Sequence, residues 1–192
     1  MFRSKLFIGL AICMAGTVVI SNFLVQFPVD HFGLENLLTY AAFSYPITFL
    51  ITDLANRKYG KFIARKIVYL GFFTGVLLTL YFSTNFKDLI SIRIAIGSGT
   101  AFLAAQLLDV HIFDILRRKI WFIAPLVSSL IGSLVDTLLF FSISFYNTEM
   151  PWLSLAAGDF VVKLIMVALM LIPFKLLLKK IPDETKLFTN IS

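Results

Sequence analysis

Five charged side chains and two amides stand inside stretches of sequence that are otherwise apolar: Asp53, Asp109, Asp136, Asp159, Lys163, Asn22 and Gln106. A charge at the centre of an apolar helix costs about 2.5–3.5 kcal/mol on insertion scales, so such residues face a cavity or a partner and serve a function. Asp136 is the most deeply placed, near the middle of a run that also holds Ser128, Ser129, Gly132, Ser133 and Thr137. It can accept hydrogen bonds from a bound solute or serve as a structural partner for Lys163. Asp159 and Lys163, four residues apart, share one helix face and can pair. A static ion pair lowers their joint cost of burial, and a role in gating or solute contact is the alternative. A Lys163 that alternated between Asp159 and Asp136 would form a two-state switch.

A second constellation is Phe102, Gln106, Asp109 and Phe113, whose spacings of four, three and four put all of them on one helix face. An amide and a carboxylate between two aromatic rings can cradle a flat solute with polar edges, the rings stacking and the polar groups reading the edge. The same residues can also be a polar patch that holds helices together. Asp53 stands where another apolar run, containing Pro46, meets Asn56, Arg57, Lys58 and Lys61. That position is near enough to the interface for an ionised carboxylate and deep enough to face a bundle interior. Pro46 has no N–H to give the carbonyl four residues back, so a weak point or contact point is expected near Ala42. Asn22 either bonds a neighbouring helix, worth roughly 0.6–2 kcal/mol, or lines a solute site. Asp114 is expected to pair with Arg117 and Arg118 at the interface, to little energetic effect.

These residues need a membrane to position them. The chain has 192 residues, 59% hydrophobic, with 21 Phe and a mean hydropathy of +0.91, more apolar side chain than a soluble domain of this length can bury. Nearly uncharged stretches long enough for about 30 Å of hydrocarbon fall near 6–25, 37–55, 67–85, 93–113, 121–145 and 154–176. They define an all-α integral membrane protein, one transmembrane domain over residues 1–192 built as a six-helix bundle. The net charge of +6 follows the membrane rather than a nucleic acid. Arg3 and Lys5 precede the first span. Arg57, Lys58, Lys61, Arg65 and Lys66 fill the second loop, Arg117, Arg118 and Lys119 the fourth, and Lys175, Lys179, Lys180 and Lys186 the tail, whereas the other loops hold only Lys87 and Arg93. The positive-inside bias therefore places both termini in the cytoplasm. The first run, about 20 residues long, exceeds the ~7–15 of a cleaved signal and is expected as a mature helix. The span from Ile67 is expected to be scaffold facing lipid, with Gly71 and Gly75 packing against a neighbour. His31 is expected as a solvated loop histidine.

Several chemistries have no motif here. A P-loop is missing, and neither HExxH nor paired Cys/His spacing suggests a metal; the single Cys13 excludes an intramolecular disulfide. No cofactor is expected. Two alternatives to a self-sufficient carrier are a substrate-binding subunit of an ATP-driven vitamin uptake system and an intramembrane enzyme using Asp109 and Asp136.

The polar residues also carry a resemblance. Ser21-Asn22-Phe23-Leu24-Val25-Gln26, Phe43-Ser44-Tyr45-Pro46 through Thr52-Asp53-Leu54 to Tyr59-Gly60, Gln106-Leu107-Leu108-Asp109-Val110-His111, Ala124-Pro125, Asp136-Thr137 and Asp159 through Lys163 occur in order and at matched distances. From Ser21 to Leu178 the chain resembles the bacterial queuosine-precursor transporters. The resemblance implies a multi-pass protein of the inner membrane, not an enzyme, that imports 7-cyano-7-deazaguanine and 7-aminomethyl-7-deazaguanine, or queuine, for tRNA modification. The partner it implies is a small deazapurine within a lipid bilayer, with no direct contact to nucleic acid; small residues on the third to fifth spans permit a monomer or a homodimer. A deazaguanine presents a ring N–H beside an amino group, a donor pair that one carboxylate accepts in bidentate fashion. Asp136 or Asp109 can supply it, Asn22 and Gln106 can meet the carbonyl and pyrrole edges, and Phe43, Tyr45 and Phe102 can stack on the ring. Asp53, Asp159 and Lys163 complete the candidate solute site. Both facilitated diffusion and proton coupling through an acid such as Asp136 fit a chain with no nucleotide motif.

Overall fold

Helices account for almost all of the regular structure, as a chain must fold when its backbone polar groups have no water to bond. The computed structural model describes residues 5–24, 27, 29, 38–82 and 89–179. The expectations for Arg3, His31, Lys87, Lys180 and Lys186 lie outside the described residues. Among the described residues are α1 (Lys5–Leu24), α2 (Ala41–Ser44), α3 (Pro46–Tyr59), α4 (Lys61–Phe82), α5 (Leu89–Leu116), α6 (Ile123–Phe145) and α7 (Trp152–Leu178). Four of these, α1, α5 from Ile92, α6 and α7, are long and apolar enough to cross a membrane. The stretch expected as one span over 37–55 is divided at Tyr45, with Pro46 as the first residue of α3. Tyr45 keeps helical torsions (φ −55°, ψ −42°), so the interruption is one of hydrogen bonding rather than of direction: Pro46 has no N–H to give Ala42. The span expected over 67–85 is preceded by helical turns reaching back to Lys61.

α3 stops at Gly60, whose φ of 83° suits a residue with no Cβ and lets its N–H donate to Asn56 O at 2.8 Å. α4 starts at the next residue, reversing the chain. At the far end of α6, Arg93 Nε and Nη2 donate to Ile143 O (2.9 Å) and Tyr146 O (2.8 Å), so a cation satisfies carbonyls that the end of a helix leaves over.

Contacts fix the helix directions. Met14 and Val18 of α1 lie over Gly71 and Gly75 of α4, in the same order. Thr52 and Asn56 of α3 meet Gln106 and Val110 of α5 in the same order. Ser144 of α6 meets Gly97 while Ser129 meets Asp109, so α6 runs against α5. α7 reverses again, bringing Asp159 to Thr137 and Phe174 to Phe113. Each long segment thus runs opposite to the one before it.

α4 buries the face of Ile63, Ala64, Ile67, Val68, Gly71 and Gly75 and exposes Phe62, Tyr69, Leu70, Phe73 and Leu77. The exposed half is apolar; the buried half is a tight seam with α1. A Cβ on Gly71 would collide with Met14 Cγ, and one on Gly75 with Val18 Cγ1. Met14 can turn aside, but Val18 is β-branched and stiff. Gly75→Ala is therefore expected to lower stability by about 1–3 kcal/mol, while Gly16→Ala, with nothing within 4 Å of the new Cβ, serves as the neutral control. Unfolding midpoints in detergent measure the difference.

Candidate solute-binding site

The interior between α3, α5, α6 and α7 carries a stripe of polar side chains. On α3 the residues Tyr45, Thr48, Thr52 and Asn56 recur at three- and four-residue spacing, which is one helix face. Each meets a partner on α5. Tyr45 Oη lies 3.2 Å from Ser98 Oγ, and its ring meets Phe102 edge-on with centroids 6.3 Å apart. Gln106 is the centre of the next layer: its Nε2 donates to Thr48 Oγ1 (2.7 Å), while Thr52 Oγ1 donates to its Oε1 (2.5 Å). Below it, Asn56 Nδ2 donates to Val110 O at 2.8 Å. The seam ends where Arg57 Nη1 donates to Arg117 O (2.9 Å), Arg117 donates back to Asn56 O, and Lys61 pairs with Asp114 at 3.3 Å. Asp114 therefore takes Lys61 across the helix interface, not the neighbouring Arg117 and Arg118 expected from sequence.

α6 and α7 close the other side. Lys163 Nζ lies 2.8 Å from Asp136 Oδ2, 2.6 Å from Asp159 Oδ2 and 3.1 Å from Thr137 Oγ1. Thr137 Oγ1 in turn donates to Asp159 Oδ2 at 2.8 Å. The ammonium's three donors are all engaged, and both acids hold the cation at once, so the alternating switch is replaced by a three-charge knot. The knot leaves Asp136 Oδ1 open. Ser133, one turn before Asp136, is fully buried and its Oγ has no hydrogen-bond partner.

Asp53 and Asp109 form a separate cluster one layer deeper. Both are buried, and their carboxyls face each other within hydrogen-bonding reach. Ser128 Oγ lies 3.4 Å from Asp53 Oδ1, and Ser129 Oγ lies 3.3 Å from Asp53 Oδ2 and 3.5 Å from Asp109 Oδ1. Asp53, expected near the interface yet deep enough to face a bundle interior, does face it: it is buried, and its partners are the serines of α6 rather than the basic loop. Phe113 packs edge-on against Phe174 at 6.2 Å and belongs to the apolar floor.

Of the residues proposed from sequence, Asp136, Asp159 and Lys163 meet in one cluster, Asp53 and Asp109 share Ser129 in a second, Tyr45 and Phe102 form a ring pair, and Gln106 joins α3 to α5. Phe43, expected to stack on the solute, is 40% exposed. Asn22 faces the α1–α4 seam, its Nδ2 3.9 Å from where a Gly75 Cβ would stand, while Ser21 reaches Ser44 at 2.7 Å. Sequence reasoning gave Thr48, Thr52, Ser128, Ser129 and Ser133 no site role. The i, i+3, i+4 stripe on α3 and the Ser129–Ser133–Asp136 stripe on α6 were the signals available. A small cavity bounded by Pro46, Phe49, Asp53, Pro125, Ser129 and Phe174 has room for about one water-sized group, far less than a bicyclic base needs.

Residues 39–178 match a family profile described as "Putative vitamin uptake transporter". The chain is 31% identical to the "Queuosine precursor transporter" of Escherichia coli, over 96% of this chain and 94% of that one. It is 33% identical to the "Probable queuosine precursor transporter" of Haemophilus influenzae, over 81% and 79% of the two chains. A protein of that same description from Bacillus subtilis is 30% identical, over 93% of this chain and 87% of its own. No solved structure matches the chain.

Proposed function

The chain belongs to the queuosine precursor transporter family, and from that premise we propose that it imports 7-cyano-7-deazaguanine and 7-aminomethyl-7-deazaguanine, with queuine as a further base, across a bacterial inner membrane. It is a transporter and not an enzyme. Six crossings with both termini cytoplasmic are supported by the strict reversal of direction between successive segments. The residues from Ala41 to Tyr59 together rise about 28 Å, close to the ~30 Å hydrocarbon thickness, so α2 and α3 serve as one crossing. α4 serves as the next.

The observation that carries the solute reading is Asp136 Oδ1, which the knot leaves without a hydrogen bond, on the same face of α6 as the buried, unpartnered Ser133 hydroxyl; in this reading the Tyr45–Phe102 rings are set against it. A deazaguanine slotted against the rings offers its ring N–H and amino group to this edge, an acidic acceptor in a dry setting where charge-assisted bonds are strongest. Thr48 and Thr52 each engage one end of the Gln106 amide, so its role is to fix α3 on α5 beneath the base. Because the cavity present is water-sized, admitting the base requires α3 and α5 to part from α6 and α7, with Pro46 at the weak turn of α3.

Uptake of labelled 7-cyano-7-deazaguanine into liposomes holding only this purified protein, without ATP, tests the reading. Equilibration of the label is expected. Binding without uptake would instead make the chain the solute-binding subunit of an ATP-driven system.

A further inference from the structure

The transport reading uses Asp136 and leaves the deepest acids without a task. Asp53 and Asp109 are 2% and 0% exposed, and among the described residues no ion pair reaches either; the lysine of this interior is held by Asp136 and Asp159. From α6 they meet only hydroxyls, and α7 offers Val167, Met170, Leu171 and Phe174 to the adjoining space. Two carboxyls facing each other in a dry interior cannot both stay charged unless a cation lies between them; otherwise they hold a proton. Asp109 Oδ2 is buried with no hydrogen-bond partner other than the facing Asp53 carboxyl.

Two further details point to an exchangeable cation. The oxygen–oxygen separations at the serines are 3.3–3.5 Å, long for O–H···O bonds, whose usual distance is about 2.7–2.8 Å. Separations of that size match the edges of an oxygen cage around a hard ion with metal–oxygen distances of about 2.4 Å. The water-sized cavity opens directly on Asp53 and Ser129, so an ion has a place to wait beside the acids.

We propose that Asp53, Asp109, Ser128 and Ser129 form the coupling-cation site of this carrier, taking one monovalent cation, Na+ or a proton, in each transport cycle. The inference rests on the transport reading. Cation binding would draw α3 and α5 onto α6 at the layer just below Gln106, and so would set whether the solute layer above is assembled.

The test is liposome uptake of 7-cyano-7-deazaguanine under an inward Na+ gradient at equal pH, and separately under an inward proton gradient without Na+. With one cation per solute, a gradient of about tenfold is expected to drive accumulation of up to about tenfold above equilibrium in one of the two arms, which identifies the ion. Asp53→Asn and Asp109→Asn are expected to lose that accumulation. Ser129→Ala, the milder change, is expected to weaken it with an unaltered unfolding midpoint. Uptake that stops at equilibrium under both gradients, or accumulation kept by both Asp→Asn variants, overturns the cation site and leaves the carrier standing. No uptake under any condition overturns the carrier reading itself.

Discussion

Replacing Lys163 by Met is expected to abolish uptake and to lower the stability of the protein by about 3–5 kcal/mol, the usual cost of removing one member of a buried ion pair. The magnitude follows from the geometry. Lys163 is 5% exposed and stands between two carboxylates, 2.8 and 2.6 Å away. Without it Asp136 and Asp159 face each other across Thr137 alone, which can donate only one hydrogen bond. The unfolding midpoint in detergent measures the loss. A triple variant, Asp136→Asn with Asp159→Asn and Lys163→Met, removes the charges together and is expected to recover most of the stability, since a neutral replacement of a buried pair is often tolerated. It is not expected to recover uptake. A Lys163→Met protein as stable as the parent would show that the knot is solvated and carries no structural weight.

The separation of stability from transport in that series bears on what could be read from the residues alone. The i, i+4 relation of Asp159 and Lys163 was legible because helix periodicity places them on one face. The third member was not: Asp136 lies on another helix, and nothing in the order of residues says whether Lys163 chooses between two acids or holds both. The same limit applies to Asp53. Its distance along the chain from Arg57 and Lys58 suggested an interfacial carboxylate, yet the partners at 3.3–3.4 Å are Ser129 and Ser128, more than seventy residues away. Local spacing predicts faces, and tertiary packing decides what each face meets.

Aromatic residues show the limit in the other direction. Phe43 and Tyr45 are two apart, on different sides of a helix, so only one of them can reach a common interior; Tyr45 does so and Phe43 looks outward. Phe102, Gln106, Asp109 and Phe113 do share one buried face, as their spacing required. The amide that seemed free to read a solute is occupied by two threonines that lie some fifty residues upstream on α3. Hydropathy located the helices well where the runs were clean. It was weakest at α3 and α4, where Thr, Asp, Asn and the cluster of Lys and Arg around Gly60 interrupt the apolar pattern. On α3 those interruptions are the seam with α5 itself, so a segment little like a lipid-facing helix is one that builds the site.

The same reasoning sets the expectation for Asp136→Asn, the change with the largest effect on solute handling alone. Asn keeps the size of the side chain but replaces one acceptor oxygen by an amino group. Toward a solute edge made of two donors it now presents a donor, so the bidentate contact fails on charge and on hydrogen-bond sense together. A hydrogen bond to a charged group contributes about 1.5–3 kcal/mol, which corresponds to about a 10- to 150-fold loss of affinity for 7-cyano-7-deazaguanine. The fold is expected to survive, because Lys163 still has Asp159 at 2.6 Å and Thr137 at 3.1 Å. Asp136→Glu, which keeps the charge and moves it outward by one methylene, is expected to retain more binding than Asn does. Equilibrium binding of the labelled base to purified variants, read beside their unfolding midpoints, separates the two contributions. Unchanged binding by Asp136→Asn would remove this carboxylate from the solute site and leave it only its part in the knot with Lys163.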